Sequence, residues 1–186
     1  MGLVAGVDSS TQSTKLVLHD EDDLTVVGRG SAPHPPTYPP VSEQDPGAWW
    51  SALGLAMSAA LAEAGAAAGD VRAISVAAQC HGLVALDTGG EVVRPAKLWN
   101  DTTSAPQMGR LLERLPAREW ARRTGSVPTA AFTISKLAWL RDHEPEHLAR
   151  TARVLLPHDW LTYRLTGEAV TDRSEASGTG YFDAAS

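Results

Sequence analysis

The stretch that decides the fold is Gly6-Val7-Asp8-Ser9-Ser10-Thr11-Gln12-Ser13-Thr14-Lys15, close to the start of a chain of 186 residues. The runs on either side of its hydroxyl residues, Leu3 to Val7 and Thr14 to His19, are short and rich in apolar and β-branched residues, so both are predicted to be strands. The hydroxyl segment is then the tip of a β-hairpin, with Asp8 at the end of its first strand.

An Asp at the tip of a hairpin can face a ligand. Mg²⁺ prefers a carboxylate, waters and substrate phosphates, and exposed backbone amides beside Ser and Thr hydroxyls suit phosphate oxygens. The stretch is therefore consistent with a magnesium and phosphate site at Asp8. It is equally typical of an ordinary turn rich in Ser and Thr. The rest of the chain has to separate these two interpretations.

Two common nucleotide-binding motifs are missing from the sequence. There is no G-x-x-x-x-G-K-[ST], and no G-x-G-x-x-G between a strand and a helix. What remains resembles the first phosphate loop of the sugar kinase, Hsp70 and actin superfamily, in which a strand-turn-strand hairpin holds the phosphates. The resemblance makes Asp8 the metal-facing carboxylate. The resemblance also implies that ATP and Mg²⁺ are the cofactors. The candidate cofactor-binding residues that it implies are Ser10, Thr11, Gln12, Thr14 and Lys15.

Composition narrows the function classes. A chain of this length suits one domain with a substantial core. The net charge is −6 and the 16 basic residues are scattered, which argues against nucleic acid as a partner. Cys80 is the only cysteine, so an intrachain disulfide and a Cys-rich metal site are excluded. No secretory signal or membrane-spanning apolar run is recognisable, and a cytoplasmic protein is predicted.

The first half of the chain reads as three antiparallel strands, a helix and a further strand. The third strand is predicted over 24–30, and the Pro-rich segment 32–40 is predicted to be an extended connector that cannot join a ladder. Asp45-Pro46 marks the start of a helix that runs to about Gly65. Val71 to Ala77 is apolar and β-prone, as expected for a strand buried on both faces.

The second half is mostly helical. The following elements are predicted there: a strand pair at 83–86 and 91–93, helices at 104–115, 117–123, 134–142 and 144–150, a strand at 154–156, and a helix at 158–165. The order of elements is that of an α/β, ribonuclease-H-like domain, with a mixed sheet flanked by helices and a helical and β-hairpin insertion.

Further motifs, spread over essentially the whole chain, resemble the FGGY carbohydrate kinases. They are Gly6–Thr11, Ser42–Pro46 with Trp49-Trp50, Gln79–Gly82, Leu98–Asp101, Ser135–Leu140, Leu155–Leu161, Leu165–Glu168 and Thr171–Thr179. The resemblance implies that residues 1–186 are an N-terminal domain with the phosphate loop and sugar pocket. It places the general base and the ATP-binding C-terminal domain beyond residue 186, so the isolated chain is expected to be inactive.

Gln79-Cys80-His81-Gly82 follows a predicted strand, where α/β proteins place ligands. Gln and His offer donors and acceptors for sugar hydroxyls, and a site built on such bonds rejects analogues that lack them. Gln79 is accordingly a candidate substrate-binding residue. The resemblance implies that Cys80 and His81 contact the sugar, although family members acting on xylulose carry Met where this chain has Cys80. A structural histidine remains the alternative for His81.

Trp99-Asn100-Asp101 is the second candidate for the sugar pocket. A Trp beside two polar residues offers an apolar face to sugar carbons with polar groups around it. In the family this segment lines the sugar pocket, but the Arg that usually follows the Asp is replaced here by Thr102 and its neighbours. Asp101 is alternatively an N-terminal cap close to the next helix.

The activity implied by the resemblance is ATP-dependent phosphorylation of a ketopentose, with the 5-hydroxyl of D-xylulose as acceptor in the best-matching members. The predicted partners are the sugar, ATP and the C-terminal kinase domain, and a homodimer is an open possibility. Three alternatives remain: another FGGY kinase for ribulose, glycerol or gluconate, a non-catalytic sugar-binding module, and an actin-like filament or chaperone domain that shares only the hairpin.

Overall fold

The structure, a computed structural model, describes residues 2–183. Its strands are β1 (Leu3–Ser9), β2 (Ser13–Asp20), β3 (Val26–Pro33), β4 (Glu43–Gln44), β5 (Val71–Ala78), β6 (Val84–Leu86), β7 (Ala96–Lys97) and β8 (Arg153–Leu155). Its helices are α1 (Pro46–Ala64), α2 (Ala105–Arg114), α3 (Ala117–Thr124), α4 (Thr133–His143), α5 (Pro145–Arg150), α6 (Pro157–Thr166) and α7 (Arg173–Ala176), with a short 3-10 helix at Ala68–Asp70.

The chain forms two units. The sheet unit comprises the chain up to Pro36 together with Gly47–Gln79, and the helical unit comprises Thr37–Pro46 together with the chain from Cys80 onward. The sheet unit carries one four-stranded sheet in the order β3-β2-β1-β5. Its first three strands are antiparallel and β5 lies parallel to β1, so the sheet is mixed, as predicted.

Small residues bring α1 against β3 within the sheet unit. Gly28 and Gly30 lie two residues apart on β3, and a Cβ atom added to either would overlap a helix carbonyl oxygen, that of Ala60 or of Ala56. The two alanines are fully buried. Glycine is required at these strand positions because the helix backbone approaches closely.

The strand alternation orients the hairpin. Thr14, Leu16 and Leu18 on β2 are buried, whereas Lys15, which lies between Thr14 and Leu16, is exposed. On β1, Val7 is buried and its neighbour Asp8 is exposed. Because side chains alternate along a strand, one face of the sheet carries the core and the other carries Asp8 and Lys15.

Two predictions about the sheet unit are wrong. The first two residues of the Pro-rich segment, Ala32 and Pro33, do join the ladder, since β3 extends to Pro33, which pairs with Ser13. A proline is tolerated there because β3 is an edge strand and Pro33 is its last residue. The prediction that Val71 to Ala77 is buried on both faces also fails. β5 is the opposite edge strand, and none of its residues is fully buried.

In the helical unit the predicted helices are found within one or two residues of their expected bounds. The predicted β-hairpin is present as a short ladder, in which Leu86 bridges Val92 and the amides of Asp87 and Val93 donate to the carbonyls of Glu91 and Ala85, and β6 also pairs with β8. The helix α6 ends at Gly167, whose φ of +79° is the left-handed conformation that favours glycine. Across the described residues, no helix is both long and apolar enough to cross a membrane.

Candidate active site

The first part of the candidate site is the end of β1 in the sheet unit. The exposed carboxylate of Asp8 accepts a hydrogen bond of 2.8 Å from the Ser10 hydroxyl. The turn closes through the Ser10 amide, which donates to the Ser13 carbonyl at 3.0 Å. Asp8 and Lys15 are cross-strand partners in the β1–β2 register. The hairpin therefore presents a carboxylate and an ammonium side by side on the exposed face.

Thr14 is a correction to the predicted phosphate-binding set. It is fully buried, and its hydroxyl lies 3.1 Å from the Ser9 hydroxyl and 2.9 Å from Nε2 of His34. Burial lowers the pKa of His34, which favours a neutral ring beside these hydroxyls. Thr14 therefore anchors the hairpin from the core side. His34 gave no signal in the sequence, because it lies in the Pro-rich segment.

Gln79 is joined to the hairpin tip. Its side-chain Oε1 accepts a hydrogen bond of 3.2 Å from the Thr11 hydroxyl, and its backbone amide donates to the Ser9 carbonyl at 3.0 Å. Gln79 is 8% exposed, yet its buried Nε2 has no hydrogen-bond partner among residues 2–183. A buried donor without a partner costs about 1–3 kcal/mol, so this amide is suited to a ligand.

The exposed tip fits the cofactors that the resemblance implies. Mg²⁺ is commonly held by one or two carboxylates together with waters and substrate phosphates, and Asp8 is an exposed carboxylate of this kind. Gln12 exposes its side chain, and Lys15 adds a positive charge on the same face as Asp8. The side chains of Ser10 and Thr11 are engaged within the tip. Binding by these residues remains a prediction.

The second part of the candidate site lies in the helical unit. His81 has a φ of +60°, in the left-handed region that a residue with a side chain rarely adopts. Its ring stacks on Phe132 with centroids 4.9 Å apart, and its carbonyl accepts a hydrogen bond of 3.2 Å from the Thr133 hydroxyl. Burial, followed by the nearby charge of Lys136, lowers the pKa of His81. The ring is therefore neutral near pH 7, with its buried Nδ1 unpartnered among the described residues.

Cys80 precedes this histidine and is half-buried. Burial raises the pKa of its thiol, and the carboxylate of Glu175 raises it further. A thiol with a raised pKa stays protonated near pH 7 and is a weak nucleophile. Cys80 can therefore line a ligand site as a small, polarisable and unreactive side chain.

Trp99 and Asn100 present groups that a ligand could use. Trp99 is 44% exposed, and the buried Oδ1 of Asn100 has no hydrogen-bond partner within residues 2–183. An exposed indole face and an available amide oxygen match the predicted contacts with sugar carbons and hydroxyls. Their role in sugar binding remains a prediction.

Asp101 is a second correction. Its carboxylate is completely buried and accepts hydrogen bonds from the Ser42 amide at 2.9 Å, the Thr103 amide at 3.0 Å and the Lys97 ammonium at 3.1 Å. Burial would raise its pKa, but these bonds, with one from the Thr103 hydroxyl, outweigh burial and keep the pKa below the usual value. Its acceptor positions are thus taken by protein donors, and Asp101 holds loops together in this structure. The N-cap of α2 is Ser104, so the capping alternative is not the main role either.

Sequence reasoning missed the residues that support His81. Lys136 is fully buried in α4, and burial raises the pKa of Glu175 in α7, an effect that the nearby His81 backbone amide opposes. Gly178 lies so close that an added Cβ would overlap the His81 ring. The blocks Ser135–Leu140 and Thr171–Thr179 were recognised as motifs, but nothing local in either indicates a contact with residue 81.

Comparisons with known proteins identify the family of the chain. Residues 3–186 match the N-terminal domain of the FGGY family of carbohydrate kinases, and the chain belongs to that family. It is 54% identical over 181 residues to the xylulose kinase of Streptomyces coelicolor. The aligned region covers 97% of this chain and 37% of that protein. The Escherichia coli K12 xylulose kinase is 39% identical over 185 residues, again 97% and 37% of the two chains.

Solved structures confirm the fold. The crystal structure of xylulose kinase from Bifidobacterium adolescentis superimposes with a TM-score of 0.88 at 41% identity, over 99% of this chain and 40% of that one. The gluconate kinase from Lactobacillus acidophilus reaches 0.85 at 27% identity, over 98% and 37%. The predicted actin-like, ribonuclease-H-like class is therefore correct. The chain spans about 37% of the length of the first curated relatives that it matches.

Proposed function

We propose that the protein carrying this chain uses ATP to phosphorylate D-xylulose to D-xylulose 5-phosphate. The observation that carries the proposal is the pairing of an exposed Asp8 with a buried, unpartnered Gln79 amide at the ends of two parallel neighbouring strands, β1 and β5. Ligands of α/β proteins bind at such carboxyl ends. The xylulose kinases among the relatives support this choice of substrate.

The exposed hairpin face serves the phosphate side in this proposal. Asp8, oriented by the Ser10 hydroxyl, would hold Mg²⁺, and the bound ion would supply positive charge that neutralises the phosphates. Lys15 adds a fixed positive charge on the same face. Phosphoryl transfer depends mainly on positioning and on electrostatic stabilisation, and these side chains are suited to both tasks.

The sugar side is assigned to Gln79, Cys80, His81, Trp99 and Asn100. A neutral His81 can donate from one ring nitrogen and accept at the other, which suits a sugar hydroxyl. The Gln79 amide and the Asn100 oxygen add a donor and an acceptor that have no hydrogen-bond partner in the described part of the chain. A site with such groups rejects sugars that leave them unpaired.

The wider assembly belongs to the same proposal. The relatives extend well beyond the matched region, and the proposed general base and adenosine pocket lie in a C-terminal domain outside residues 1–186. A cytoplasmic location and a homodimer complete the proposal. Cell fractionation would test the location, and light scattering of the full-length product would test the oligomeric state.

The test of function is a steady-state assay of the full-length gene product. D-Xylulose is expected to give the highest kcat/KM among D-xylulose, D-ribulose, glycerol and gluconate. Asp8→Asn keeps an acceptor for Ser10 but removes the charge, so kcat is expected to fall at least about 100-fold. The exposed Asp22→Asn in the β2–β3 turn is the matched control and should leave kcat within twofold.

Gluconate kinase activity is a second candidate because Cys80 replaces the Met of family members that act on xylulose, leaving a smaller wall beside the sugar. One of the solved neighbours is a gluconate kinase. A higher kcat/KM for gluconate than for D-xylulose would replace the first proposal with this one. Full activity of the Asp8→Asn variant would contradict the phosphate side of both.

A further inference from the structure

The backbone conformation of His81 needs support from its surroundings. A φ of +60° is uncommon for a residue with a β-carbon and is a strained conformation. Such conformations persist when neighbouring contacts over-determine them. At His81 these contacts come from the segment that leads into α4 and from the turn around α7.

Two of these contacts come from consecutive residues at the start of α4. The Phe132 ring stacks on the His81 ring with an interplanar angle of 23°, and the Thr133 hydroxyl donates to the His81 carbonyl. The Ile134 amide donates to the Thr179 carbonyl at 2.9 Å, which ties the same helix end to the segment containing Gly178. The start of α4 is therefore the platform on which His81 rests.

Lys136 stabilises that platform by binding the backbone of the segment just before α4. Its ammonium donates to the carbonyls of Ala130 at 3.1 Å, of Ala131, and of Phe132 at 3.5 Å. The side chain is fully buried although it lies in the first turn of a helix, where the macrodipole disfavours positive charge. Three carbonyls offset this cost by accepting the three N–H donors of an ammonium.

The same amine acts electrostatically on the histidine. Burial lowers the pKa of Lys136 to about 7, Asp101 acts to raise it, and Lys97 lowers it further. The charge of Lys136 in turn contributes to the lowered pKa of His81. The other ionisable groups facing this pair are Cys80, which adjoins His81, and Glu175, whose carboxyl pKa the His81 backbone amide acts to lower.

We propose that Lys136 and Phe132 are positioning residues for sugar binding, with Lys136 fixing the 130–132 segment so that Phe132 holds the His81 ring in its binding orientation. The inference rests on the proposed function, because it assumes that His81 contacts the sugar. Lys136 then acts through the platform and not by touching the substrate. Its positive charge also adds to the effect of burial in lowering the pKa of His81, which favours the neutral ring.

The test uses the full-length protein with the variants Phe132→Leu, Phe132→Tyr and Lys136→Met. Loss of the ring stack in Phe132→Leu is expected to raise the sugar KM about 3- to 10-fold and leave the ATP KM within twofold. Phe132→Tyr keeps the ring and should restore the sugar KM. Lys136→Met should raise the sugar KM and also raise the His81 pKa, which is measured by NMR of ring-labelled histidine.

The stability control is Thr124→Val, which removes a buried hydroxyl that donates to the Trp120 and Ser126 carbonyls. It should lower the melting temperature without changing the sugar KM or the His81 pKa. Equal rises in sugar and ATP KM, or an unchanged His81 pKa in a folded Lys136→Met variant, would overturn the proposal. If the wild type phosphorylates no sugar, the proposed function fails, while the NMR titration still decides whether Lys136 controls His81.

Discussion

At the scale of single residues, hydrogen-bond accounting separates ligand-binding candidates from structural ones. Asp101 and Gln79 look alike in the sequence, since each is a polar residue in a motif that follows an apolar run. In the structure the Asp101 carboxylate accepts from several protein donors, whereas the Gln79 Nε2 is buried with no partner among the described residues. Because buried polar groups are normally paired, the unpaired amide is the one available to a ligand.

Lys136 gives a residue-scale prediction about pH. Its pKa is about 7 in the folded protein against an ordinary value of 10.5. Between these values the unfolded chain binds a proton that the folded chain does not, so the free energy of unfolding rises with pH. Above pH 9 the raised pKa values of Cys80 and Tyr181 act in the opposite direction, because the folded state then retains protons that the unfolded state has lost. The usable window is therefore pH 7 to 9.

Melting curves of the wild type and of Lys136→Met at pH 7, 8 and 9 measure this effect. The melting temperature of the wild type should rise relative to that of the variant as pH increases, with at most about 1.4 kcal/mol gained per pH unit. Groups that do not interact with Lys136 cancel in the difference between the two proteins. A difference that stays constant from pH 7 to 9 would mean that the buried amine does not titrate in this window.

At the scale of elements, the packing of α1 on β3 depends on two glycines. A Cβ atom at Gly30 would overlap the Ala56 carbonyl, and helix backbone cannot yield as a flexible side chain can. Gly30→Ala is therefore expected to destabilise the protein by about 2 kcal/mol. Gly54 on α1 has no atom within 4 Å of an added Cβ, so Gly54→Ala should stabilise by about 0.5–1 kcal/mol.

Chemical denaturation of the two glycine variants beside the wild type provides the measurement, and Gly54→Ala is the matched control for the same substitution. Opposite signs are expected. If Gly30→Ala were as stable as the wild type, α1 would not approach β3 as closely as the structure indicates.

Local signals predicted most elements but not their surroundings. Pro46 and Gly167 mark helix ends through backbone conformation alone, so the bounds of α1 and α6 follow from the sequence. The direction of Thr14 and the exposure of β5 depend on which strand lies next to which, and that is fixed by contacts distant in the chain. The bonds from Ser42 to Asp101 and from Thr133 to His81 span more than 50 residues, and no local pattern contains them.

At the scale of the whole molecule, the predicted site residues divide between the two units. Asp8, Lys15 and Gln79 belong to the sheet unit, and Cys80 and His81, which follow directly in the chain, belong to the helical unit. The residues proposed to bind sugar therefore lie on both sides of the Gln79–Cys80 peptide bond, where one unit ends and the other begins.

The chain spans about 37% of the length of the first curated relatives, and this leads to a prediction about residues 1–186 expressed alone. They are expected to bind D-xylulose weakly at best and to show no ATP-dependent turnover, because the proposed general base and adenosine pocket lie outside them.

The isolated chain is also expected to self-associate at high concentration, since β5 is an edge strand with its residues at least partly exposed. Calorimetry with D-xylulose, an ADP-release assay and light scattering measure the three properties, with the full-length protein as control. Turnover by residues 1–186 that disappears in Asp8→Asn would contradict the prediction, because the loss would show that the activity belongs to this chain and not to a contaminating kinase.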